Sequence, residues 1–229
     1  MYRYETHLHT SPVSKCARAG VQETLEFYRS LEYDGVFVTN HFLDGNINID
    51  KARPYEEKLD FYFQDYLDAV EIGKQLGLQV FPGVELSHGG TDFLVYGLPL
   101  SFYYDHPEIM EMTKKAELAF LMEAGAFLVQ AHPYREAGYI DHIRLYPRSV
   151  HAVETLNSSR IPFENEMADR YADAYGLLKT AGSDNHIASR QVHLAGMETE
   201  DRLTCAEDFI EAVRTGAARI FTLENPQEG

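Results

Sequence analysis

Thr6-His7-Leu8-His9-Thr10, close to the start of the chain, is the stretch from which the fold and the site can be predicted. Residues 2–8 have the pattern of a first strand, and side chains at positions i and i+2 of a strand point to the same face. His7 and His9 could therefore both approach one metal ion. The same spacing also occurs in incidental pairs on a surface or in a core, so the interpretation depends on partners further along the chain.

Composition and net charge limit the classes to which the protein could belong. The chain has 229 residues, 45% of them hydrophobic and 24% charged, which is enough for one sizeable core and short for two full domains. We therefore expect a single domain over residues 1–229. Its 36 acidic and 20 basic side chains give a formal net charge of −16, which argues against tight nucleic-acid binding and against anionic membranes. Divalent cations would offset part of this charge locally, where an anionic substrate could then bind.

The cysteine content and the hydropathy indicate an intracellular protein. Cys16 and Cys205 are the two cysteines of the sequence, too few for a disulfide scaffold. No apolar run approaches the length of a signal segment or a membrane span. We expect a cytoplasmic location, and the sequence does not indicate an oligomeric state.

Strands and helices are predicted to alternate along the chain. A first βαβ unit joins the first strand, through a helix around Leu25, to a buried strand at residues 35–39. A long amphipathic pattern predicts a helix over residues 55–76 that Gly77 ends. Further strands are predicted at 78–86, 91–97, 126–131, 150–156, 177–181 and 219–223, and further helices at 107–123, 139–145, 162–175 and from a capping box at Thr204 and Glu207. Strands 78–86 and 91–97 could form a hairpin.

The places of the polar side chains favour a barrel over an open sheet. Roughly seven strand–helix units suit either architecture. In a barrel the C-terminal ends of the strands converge on one mouth, whereas in an open sheet they are spread along an edge. The side chains at or just beyond such predicted ends are His7, His9, His41, Glu85, His132, Asp184 and His186.

Five short motifs carry a family resemblance. They are His7-Leu8-His9-Thr10, Thr39-Asn40-His41, Gly83-Val84-Glu85, Gln130-Ala131-His132-Pro133 and Gly182-Ser183-Asp184-Asn185-His186. In this order, and spanning nearly the whole chain, they resemble the polymerase and histidinol phosphatase (PHP) domain family. The resemblance implies an α/β fold, a distorted (β/α)7 TIM-like barrel, with a site that holds two or three divalent metal ions.

The resemblance also implies which residues bind the first two ions. By position, His7, His9, Glu85 and Asp184 correspond to the ligands of one ion. Glu85 would bridge to a second ion that also takes His132.

A third ion would take His41 and His186. Family members add an Asp or His from the loop after the His-x-His, and Cys16 stands in that place. A thiolate ligand suits zinc or iron better than magnesium, and the expected cofactors are therefore two or three ions of zinc, manganese or iron. The alternative for Cys16 is a small buried hydrophobic residue, and Cys205 is predicted to pack inside the last helix.

Two departures from the family pattern put the number of ions in doubt. Many members have another histidine ligand on the strand at residues 91–97, where Leu94 stands in this chain. His88, in the preceding turn, is a candidate substitute, although a histidine in a turn is more often only solvated. Asn40 replaces an aspartate of many members and removes a charge near the third ion.

The ligand set predicts hydrolysis of a phosphate ester. Neighbouring divalent ions can hold a bridging hydroxide at neutral pH, which attacks phosphorus while the ions neutralise the phosphate oxygens. His186 or a metal-bound water would protonate the leaving oxygen. Arg135, in the loop after His132, is the first candidate to grip the phosphate, followed by Arg18 and Arg160. A surface salt bridge is the alternative for each arginine and the favoured interpretation for Arg160.

Other polar residues have weaker assignments. Glu5 is a candidate to orient one of the first two imidazoles, and Glu154 and Asn157 are candidate substrate or supporting contacts at a strand end. Tyr134 could stack on the organic part of a substrate. The remaining histidines are interpreted as structural or exposed: His106, His142, His151 and His193.

The favoured function is that of a metal-dependent phosphoesterase acting on a small phosphorylated metabolite or a nucleotide. A metal-dependent amidohydrolase is the nearest alternative, although those barrels usually have a bridging lysine where Glu85 stands. An exonuclease like those fused to DNA polymerases is disfavoured because no basic groove is visible in the sequence. A catalytically silent metal-binding or regulatory module is the alternative from another class, supported by the substitutions at Leu94 and Cys16.

Overall fold

The strands of the computed structural model, which describes residues 1–226, form two five-stranded sheets. The strands are β1 Tyr2–Leu8, β2 Gly35–Val38, β3 Gln79–Pro82, β4 Val84–His88, β5 Thr91–Tyr96, β6 Phe127–Ala131, β7 Ala152–Asn157, β8 Leu178–Gly182, β9 His193–Thr199 and β10 Arg219–Glu224. The helices are α1 Val21–Ser30, α2 Tyr55–Leu76, α3 Leu100–Asp105, α4 Lys114–Glu123, α5 Pro162–Tyr175 and α6 Ala206–Thr215. Residues 227–229, which the single-domain prediction includes, lie outside the described residues.

The two sheets mix parallel and antiparallel neighbours. The order of the first sheet is β10-β9-β1-β2-β3, and that of the second is β4-β5-β6-β7-β8. β1, β2 and β3 are parallel, as are β6, β7 and β8, whereas β4, β5 and β6 form an antiparallel meander. The α/β class and the β4–β5 hairpin are therefore confirmed. A closed (β/α)7 barrel is not confirmed, because within residues 1–226 the strand ladders form two separate sheets.

The two sheets meet along two seams, each marked by an isolated bridge between backbones. Leu8 at the end of β1 pairs with Asn185 beyond β8, and His41 beyond β2 pairs with Glu85 in β4. Each seam joins strand ends of the first sheet to strands or strand ends of the second. The C-terminal ends of β1, β2 and β8 are consequently held close together.

The prediction of one strand over residues 78–86 is wrong, because the chain changes sheets at Pro82-Gly83. Proline supplies no N–H for a continued ladder. A Cβ at Gly83 would lie 2.7 Å from the Thr39 side chain, so the close approach to the end of β2 requires glycine. The break places Glu85 in the second sheet, opposite His41.

Several other element predictions are wrong. The predicted helix over 107–123 is a 3₁₀ turn at Pro107–Glu111 followed by α4, whose N-cap Thr113 accepts a hydrogen bond from the Ala116 N–H. The predicted helix over 139–145 is irregular. α3 and β9 were not predicted, and β9 pairs antiparallel with both β1 and β10.

The last helix begins one residue later than predicted. Cys205 is the N-cap of α6 and Asp208 completes the capping box, in place of Thr204 and Glu207. Cys205 is therefore at the end of the helix and not inside it. The bounds of α2 and α5 match the prediction, and both helices end at glycines with positive φ, Gly77 and Gly176.

An aromatic core fills the space between the two sheets. Phe37 from the first sheet, Tyr96 from the second and Phe209 from α6 are in mutual ring contact, with centroid distances of 4.8 to 5.4 Å. Burial of each large apolar side chain stabilises the fold by about 1.5–3 kcal/mol. The Tyr96 hydroxyl also donates to the Thr6 carbonyl at 2.7 Å, which ties β5 to β1. In the described part of the chain, no helix has the length and hydrophobicity needed to span a membrane.

Candidate metal centre

The structure brings the candidate ligands together at the strand ends that meet along the seams. Ligand atoms within 4.8 Å of one another form three overlapping groups: His7 with Glu85 and His132, His7 with His9 and Asp184, and His9 with His41 and His186. Each group combines side chains from strands or strand ends of both sheets. A cluster of imidazoles and carboxylates on this scale has the composition of a site for more than one divalent ion.

Glu85 lies at the middle of the cluster. Its Oε1 is 3.1 Å from Nε2 of His7 and 3.6 Å from Nε2 of His132. Its Oε2 is 2.5 Å from Nδ1 of His41 and 3.5 Å from Nε2 of His9. The two oxygens therefore face different imidazole pairs, as the bridging role predicted for Glu85 requires.

Glu154, at the C-terminal half of β7, supports the cluster from behind. Its Oε1 is 2.8 Å from Nδ1 of His7, so His7 donates its Nδ1–H to the carboxylate and directs Nε2 into the cluster. Its Oε2 accepts hydrogen bonds from the backbone N–H of His132 at 3.1 Å and from Nδ2 of Asn157 at 2.9 Å. A carboxylate behind an imidazole in this way sets the tautomer of a metal-binding histidine.

Two candidate ligands have a strained backbone. Asp184 has a φ of +52° and His132 a φ of +25°, values in the left-handed region that side chains with a Cβ rarely adopt. Such conformations persist where the surrounding structure requires them, which is often at functional sites. The Nδ1 of His186 donates to the Asp184 carbonyl at 2.9 Å, so this turn also orients the last imidazole.

The cluster leaves buried polar atoms without hydrogen bonds. Within residues 1–226, the atoms of candidate ligands without a well-aligned hydrogen bond are Nε2 of His9, Nδ1 of His41, Oε2 of Glu85 and both ring nitrogens of His132. The short contact between Nδ1 of His41 and Oε2 of Glu85 is an ion pair. A buried polar group without a partner is unfavourable by about 1–3 kcal/mol. Lone pairs of imidazole and carboxylate converging in a buried site fit divalent cations, and the residues present therefore fit the metals that the sequence predicts.

The electrostatics of the cluster are those of a cation site. Burial alone would lower the pKa of His7, but the surrounding carboxylates, Glu154 foremost, raise that pKa well above its usual value. Burial and two neighbouring imidazoles lower the pKa of His9 well below its usual value. Burial would raise the pKa of Glu85 and of Asp184, but the imidazoles around them lower both pKa values strongly. Glu85 and Asp184 are therefore ionised beside a neutral His9.

Cys16 lies against the imidazoles predicted for the third ion. Burial would raise the pKa of its thiol, but hydrogen bonds with His186 and His41 outweigh burial and lower the pKa to about 6. A thiolate at neutral pH is a competent metal ligand. Its sulfur borders the group of His9, His41 and His186 without belonging to the set within 4.8 Å.

Asp92 is a residue of the site that the sequence interpretation missed. Its carboxylate is 2% exposed, and Oδ2 lies 2.8 Å from an Arg135 terminal nitrogen and 3.8 Å from Nε2 of His132. Leu94, the position compared with the family histidine, is buried in the aromatic core instead. β5 runs antiparallel to β6, so the first residues of β5 lie beside the last residues of β6, with Asp92 opposite Ala131. The sequence signal that could have revealed Asp92 was a carboxylate near the start of the second strand of the predicted hairpin.

A pocket of about 750 Å³ opens above the cluster. Its walls include Arg135, Arg160 and Tyr139, and its floor includes Asp184 and His186. The Arg135 guanidinium forms an ion pair with Asp92 and donates a hydrogen bond to the Gly90 carbonyl at 3.1 Å. Among residues 1–226 no carboxylate pairs with Arg160, whose buried Nε has no partner.

Other candidates lie elsewhere. His88 is exposed at the end of β4, and Tyr134 packs beside Tyr171 outside the pocket. Glu5 does not bind an imidazole; it accepts the backbone N–H groups of His7 and Ser183 at 2.8 and 2.9 Å. The Arg18 side chain is exposed and outside the pocket lining, as are His142 and His193. His106 and His151 are partly buried and also lie outside the pocket lining, and Nδ1 of His151 accepts the Leu128 backbone N–H.

Comparisons with known proteins agree with this architecture. A family profile described as PHP-associated matches residues 162–218, the segment from α5 to the turn before β10. No curated protein matches the sequence.

Several solved structures are similar in fold. A two-domain protein from Bacteroides vulgatus, which contains a predicted PHP-like metal-dependent phosphoesterase, aligns with a TM-score of 0.69 and 14% identity over 96% of this chain and 64% of its own. PsfC from Pseudomonas syringae aligns with a TM-score of 0.63 and 18% identity over 100% of this chain and 94% of its own. An amidohydrolase from Chromobacterium violaceum, with bound sulfate and no metal, aligns with a TM-score of 0.53 and 15% identity over 99% of both chains. This chain thus spans less than two thirds of the Bacteroides protein, and identities this low show a shared fold.

Proposed function

The PHP-associated segment and the fold shared with PHP-like proteins support assignment of this chain as a PHP-domain protein, and from that premise we propose that it hydrolyses small phosphate esters with the help of divalent metals. The similar structures, a PHP-like phosphoesterase and an amidohydrolase among them, support a metal-dependent hydrolase in general. The phosphate ester is the specific part of the proposal. A phosphorylated metabolite or a nucleotide is the proposed substrate.

One observation carries the proposal. Buried ligand atoms of His9, His41, Glu85 and His132 lie in the clusters that adjoin a pocket. That pocket is lined by His41, Asp184 and His186 and also by Arg135 and Arg160. The converging atoms suit cations, and the guanidinium groups suit an anion placed directly above them. A phosphate is the anion that both halves of this arrangement would bind.

The chain's own residues would orient the metals and the substrate. When bound, the ions would supply a water of lowered pKa as the nucleophile and neutralise the phosphate oxygens. Glu154 holds His7 in the tautomer that presents Nε2, and Glu85 spans the two imidazole pairs. Because Nδ1 of His186 donates to the Asp184 carbonyl, Nε2 could protonate the leaving oxygen only from the imidazolium form. It would have that role if two ions bind, and it would be a ligand if three ions bind.

Two arginines are proposed to hold the phosphate, with Arg160 now as strong a candidate as Arg135. Arg135 is fixed by Asp92 at 2.8 Å, which orients the guanidinium but offsets its charge. Arg160 lines the same pocket without a carboxylate partner among residues 1–226. In a chain with an excess of acidic side chains, an unpaired arginine in a pocket is best explained by an anionic ligand.

Cys16 is proposed to join His41 and His186 at a third ion, for which zinc and iron are better suited than manganese. The first two sites, with imidazole and carboxylate ligands, suit zinc, manganese or iron. The two seams at the strand ends are also consistent with a distorted, incompletely bonded (β/α)7 barrel, which we retain as a proposal for the architecture.

The experiment that tests the proposal combines metal analysis with a substrate screen. The purified protein is loaded separately with manganese, zinc and iron, and each sample is assayed against sugar phosphates, amino-alcohol phosphates and nucleotides. We expect two or three bound ions and hydrolysis of at least one class of monoester. His142→Ala, which alters an exposed histidine outside the site, is the matched control and should retain both properties.

The same experiment separates the alternatives. Hydrolysis of amides without hydrolysis of phosphates would favour the amidohydrolase function, which the Chromobacterium neighbour keeps in consideration. The buried Lys114 does not supply the bridging lysine usual in amidohydrolases, because it is paired with Asp44 at 2.8 Å and Glu117 at 2.6 Å. Bound metal without hydrolysis of either class would indicate a silent metal-binding module.

A further inference from the structure

A buried chain of hydrogen bonds runs from the candidate metal centre to helix α2, where it ends on a carboxylate. Asp65 lies in the middle of α2, faces the sheet and is 5% exposed. Its Oδ2 accepts a hydrogen bond from Nδ2 of Asn40 at 2.8 Å and another from the Thr10 hydroxyl. The reaction proposed above does not use Asp65, so its burial calls for another explanation.

The Asn40 side-chain amide has partners that allow only one orientation. Its Nδ2 donates to Asp65 and, at 2.9 Å, to the Thr10 hydroxyl. Its Oδ1 accepts from the Thr10 backbone N–H at 2.7 Å and from the Ser14 hydroxyl at 2.8 Å. The Thr10 backbone N–H can only donate, so the amide oxygen must face Thr10 and Ser14 and the NH₂ end must face Asp65.

The orientation of the amide determines the tautomer of His9. The Ser14 hydroxyl has one proton, and that proton goes to Oδ1 of Asn40 because an amide oxygen cannot donate. The Ser14 oxygen accepts from the His41 backbone N–H at 3.0 Å and lies 3.1 Å from Nδ1 of His9. Since the serine proton is already used, Nδ1 of His9 must be the donor. The unprotonated Nε2 then faces the centre, 3.4 Å from Oδ1 of Asp184.

We propose that Asp65 is a positioning residue for the candidate metal centre, which acts through Asn40 and Ser14 to hold His9 in the tautomer that presents Nε2 as a ligand. The inference rests on the proposed metal-dependent function, because only a ligand needs this tautomer. Metal-binding histidines commonly donate their second N–H to an oriented acceptor, and here that acceptor is held in place by a hydrogen-bonded relay.

The two imidazoles of the His-x-His are thus oriented by different carboxylates, one directly and one through other side chains. His7 donates directly to the Glu154 carboxylate at 2.8 Å. His9 donates to Ser14, and the carboxylate of Asp65 is reached only through two further side chains. Asp65 does not contact a candidate ligand, so a change there tests the relay without removing a ligand.

The test is nitrogen NMR of the histidine rings in metal-free protein, together with Mn²⁺ titration. The variants are Asp65→Ala, Asp65→Asn and the controls Asp68→Ala and Asp68→Asn, at an exposed position of α2 that pairs with Gln64. We expect His9 to be protonated on Nδ1 alone in the parent protein and in both controls. Asp65→Ala should give a mixture of tautomers and weaken Mn²⁺ binding by about ten- to hundredfold, the range for loss of a supporting contact.

Asp65→Asn separates the relay from simple packing. Asparagine keeps an oxygen acceptor for Asn40, so the single tautomer and most of the Mn²⁺ affinity should be retained. The Nδ1 resonance of His9 should still move relative to Asp68→Asn, because the loss of the charge weakens each hydrogen bond of the chain. This measurement applies even if Asp65→Ala does not fold, which circular dichroism would reveal.

A second variant cuts the relay at its other end. Ser14→Ala removes the acceptor of His9 while Asp65 and Asn40 stay in place, and it should produce the same mixture of tautomers as Asp65→Ala. An unchanged His9 tautomer in a folded Asp65→Ala, or an unmoved His9 resonance in Asp65→Asn, overturns the proposal. Because the NMR experiment needs neither metal nor substrate, its outcome is independent of whether the protein hydrolyses phosphate esters.

Discussion

Asp184 occupies its place in the centre at the expense of backbone strain. Its φ of +52° is one that glycine adopts readily and aspartate only rarely. Strain of this kind is unfavourable by about 1–3 kcal/mol. Aspartate stands there although glycine would relieve the strain, which is in keeping with the ligand role proposed for its carboxylate, whose Oδ1 lies 3.5 Å from His7 and 3.4 Å from His9.

Asp184→Asn is expected to reduce bound metal by at least one equivalent and to abolish hydrolysis while leaving the fold intact. Asparagine tolerates positive φ but lacks the negative charge that the cation requires. His9→Ala should behave in the same way. The measurement is elemental analysis and phosphatase activity on the same samples, with His142→Ala as control. Full metal content with normal rates in either variant would show that the ligands lie elsewhere.

Arg135→Ala is expected to keep the metals and to lower kcat/KM on phosphate monoesters by about ten- to a thousandfold, the range for loss of one charged contact in the transition state. Arg135→Lys should recover only part, because an ammonium group cannot form a bidentate pair. Arg160→Ala should lower kcat/KM on the same scale. The exposed Arg170, which pairs with Glu166, supplies the control Arg170→Ala. If only Arg160→Ala is impaired, Arg135 serves to hold Asp92 and not the phosphate.

Cys16→Ser is expected to lower bound metal by up to one equivalent. A coordinated thiolate is shielded, so alkylation of Cys16 in the parent protein should be fast without metal and slow with it. The rate of Cys16 alkylation is followed by peptide mass spectrometry, with Cys205 as the internal reference because it is remote from the centre at the start of α6. Unchanged stoichiometry together with alkylation at the same rate in both states would assign Cys16 a structural role.

The elements show which features a sequence can predict. α2 and α5 were predictable to the residue because an amphipathic pattern ends at a glycine in each case. β9 was missed because Ala195 and Gly196 lower strand propensity. Glycine is nevertheless required there, since a Cβ would collide with the Tyr4 carbonyl of the paired strand. Whether a segment forms a strand therefore depends on the strands that it pairs with as well as on its own residues.

The sequence predicted those residues of the site that lie at or just after the C-terminal ends of strands. The motif histidines, Glu85 and Asp184 converge as expected. Asp92 was missed because it begins a strand, and only the antiparallel hairpin brings it to the same end of the sheet. Asp65 lies 55 residues beyond Thr10 on the inner face of a helix, where its contact with the loop has no local signal in the sequence.

Gly182→Ala is expected to lower metal affinity by about tenfold or more through displacement of supporting side chains. A Cβ at this end of β8 would lie 2.5 Å from Cβ of His7 and 2.9 Å from Oε1 of Glu154. Gly176→Ala is the control, since that glycine has a φ of +64° but open space around it. The control should lower the free energy of unfolding by about 1 kcal/mol and leave Mn²⁺ binding unchanged. Equal Mn²⁺ affinity in both variants would contradict the close packing at β8.

For the molecule as a whole, metal binding should appear as thermal stability. The chain has a formal net charge of −16, and Glu85 and Asp184 are ionised inside it. A cation at 100 times its Kd stabilises the fold by about 2.7 kcal/mol, which corresponds to an increase in Tm of about 5–10 °C for a chain of this size. Differential scanning calorimetry with and without Mn²⁺ measures this shift. Asp184→Asn should show a smaller shift, and an equal one would place the binding site elsewhere.

The two seams between the sheets give the ions a mechanical role as well. Strands or strand ends of both sheets contribute ligands to every cluster, while within residues 1–226 the isolated backbone bridges between the sheets join Leu8 with Asn185 and His41 with Glu85. An ion in the centre would therefore add a further link between the two sheets at this end. Without it, the backbone amides of Asn185 and Phe42, which donate across the seams, should exchange with solvent faster than amides inside either sheet. The catalytic ions and the closure of the fold would then depend on one another.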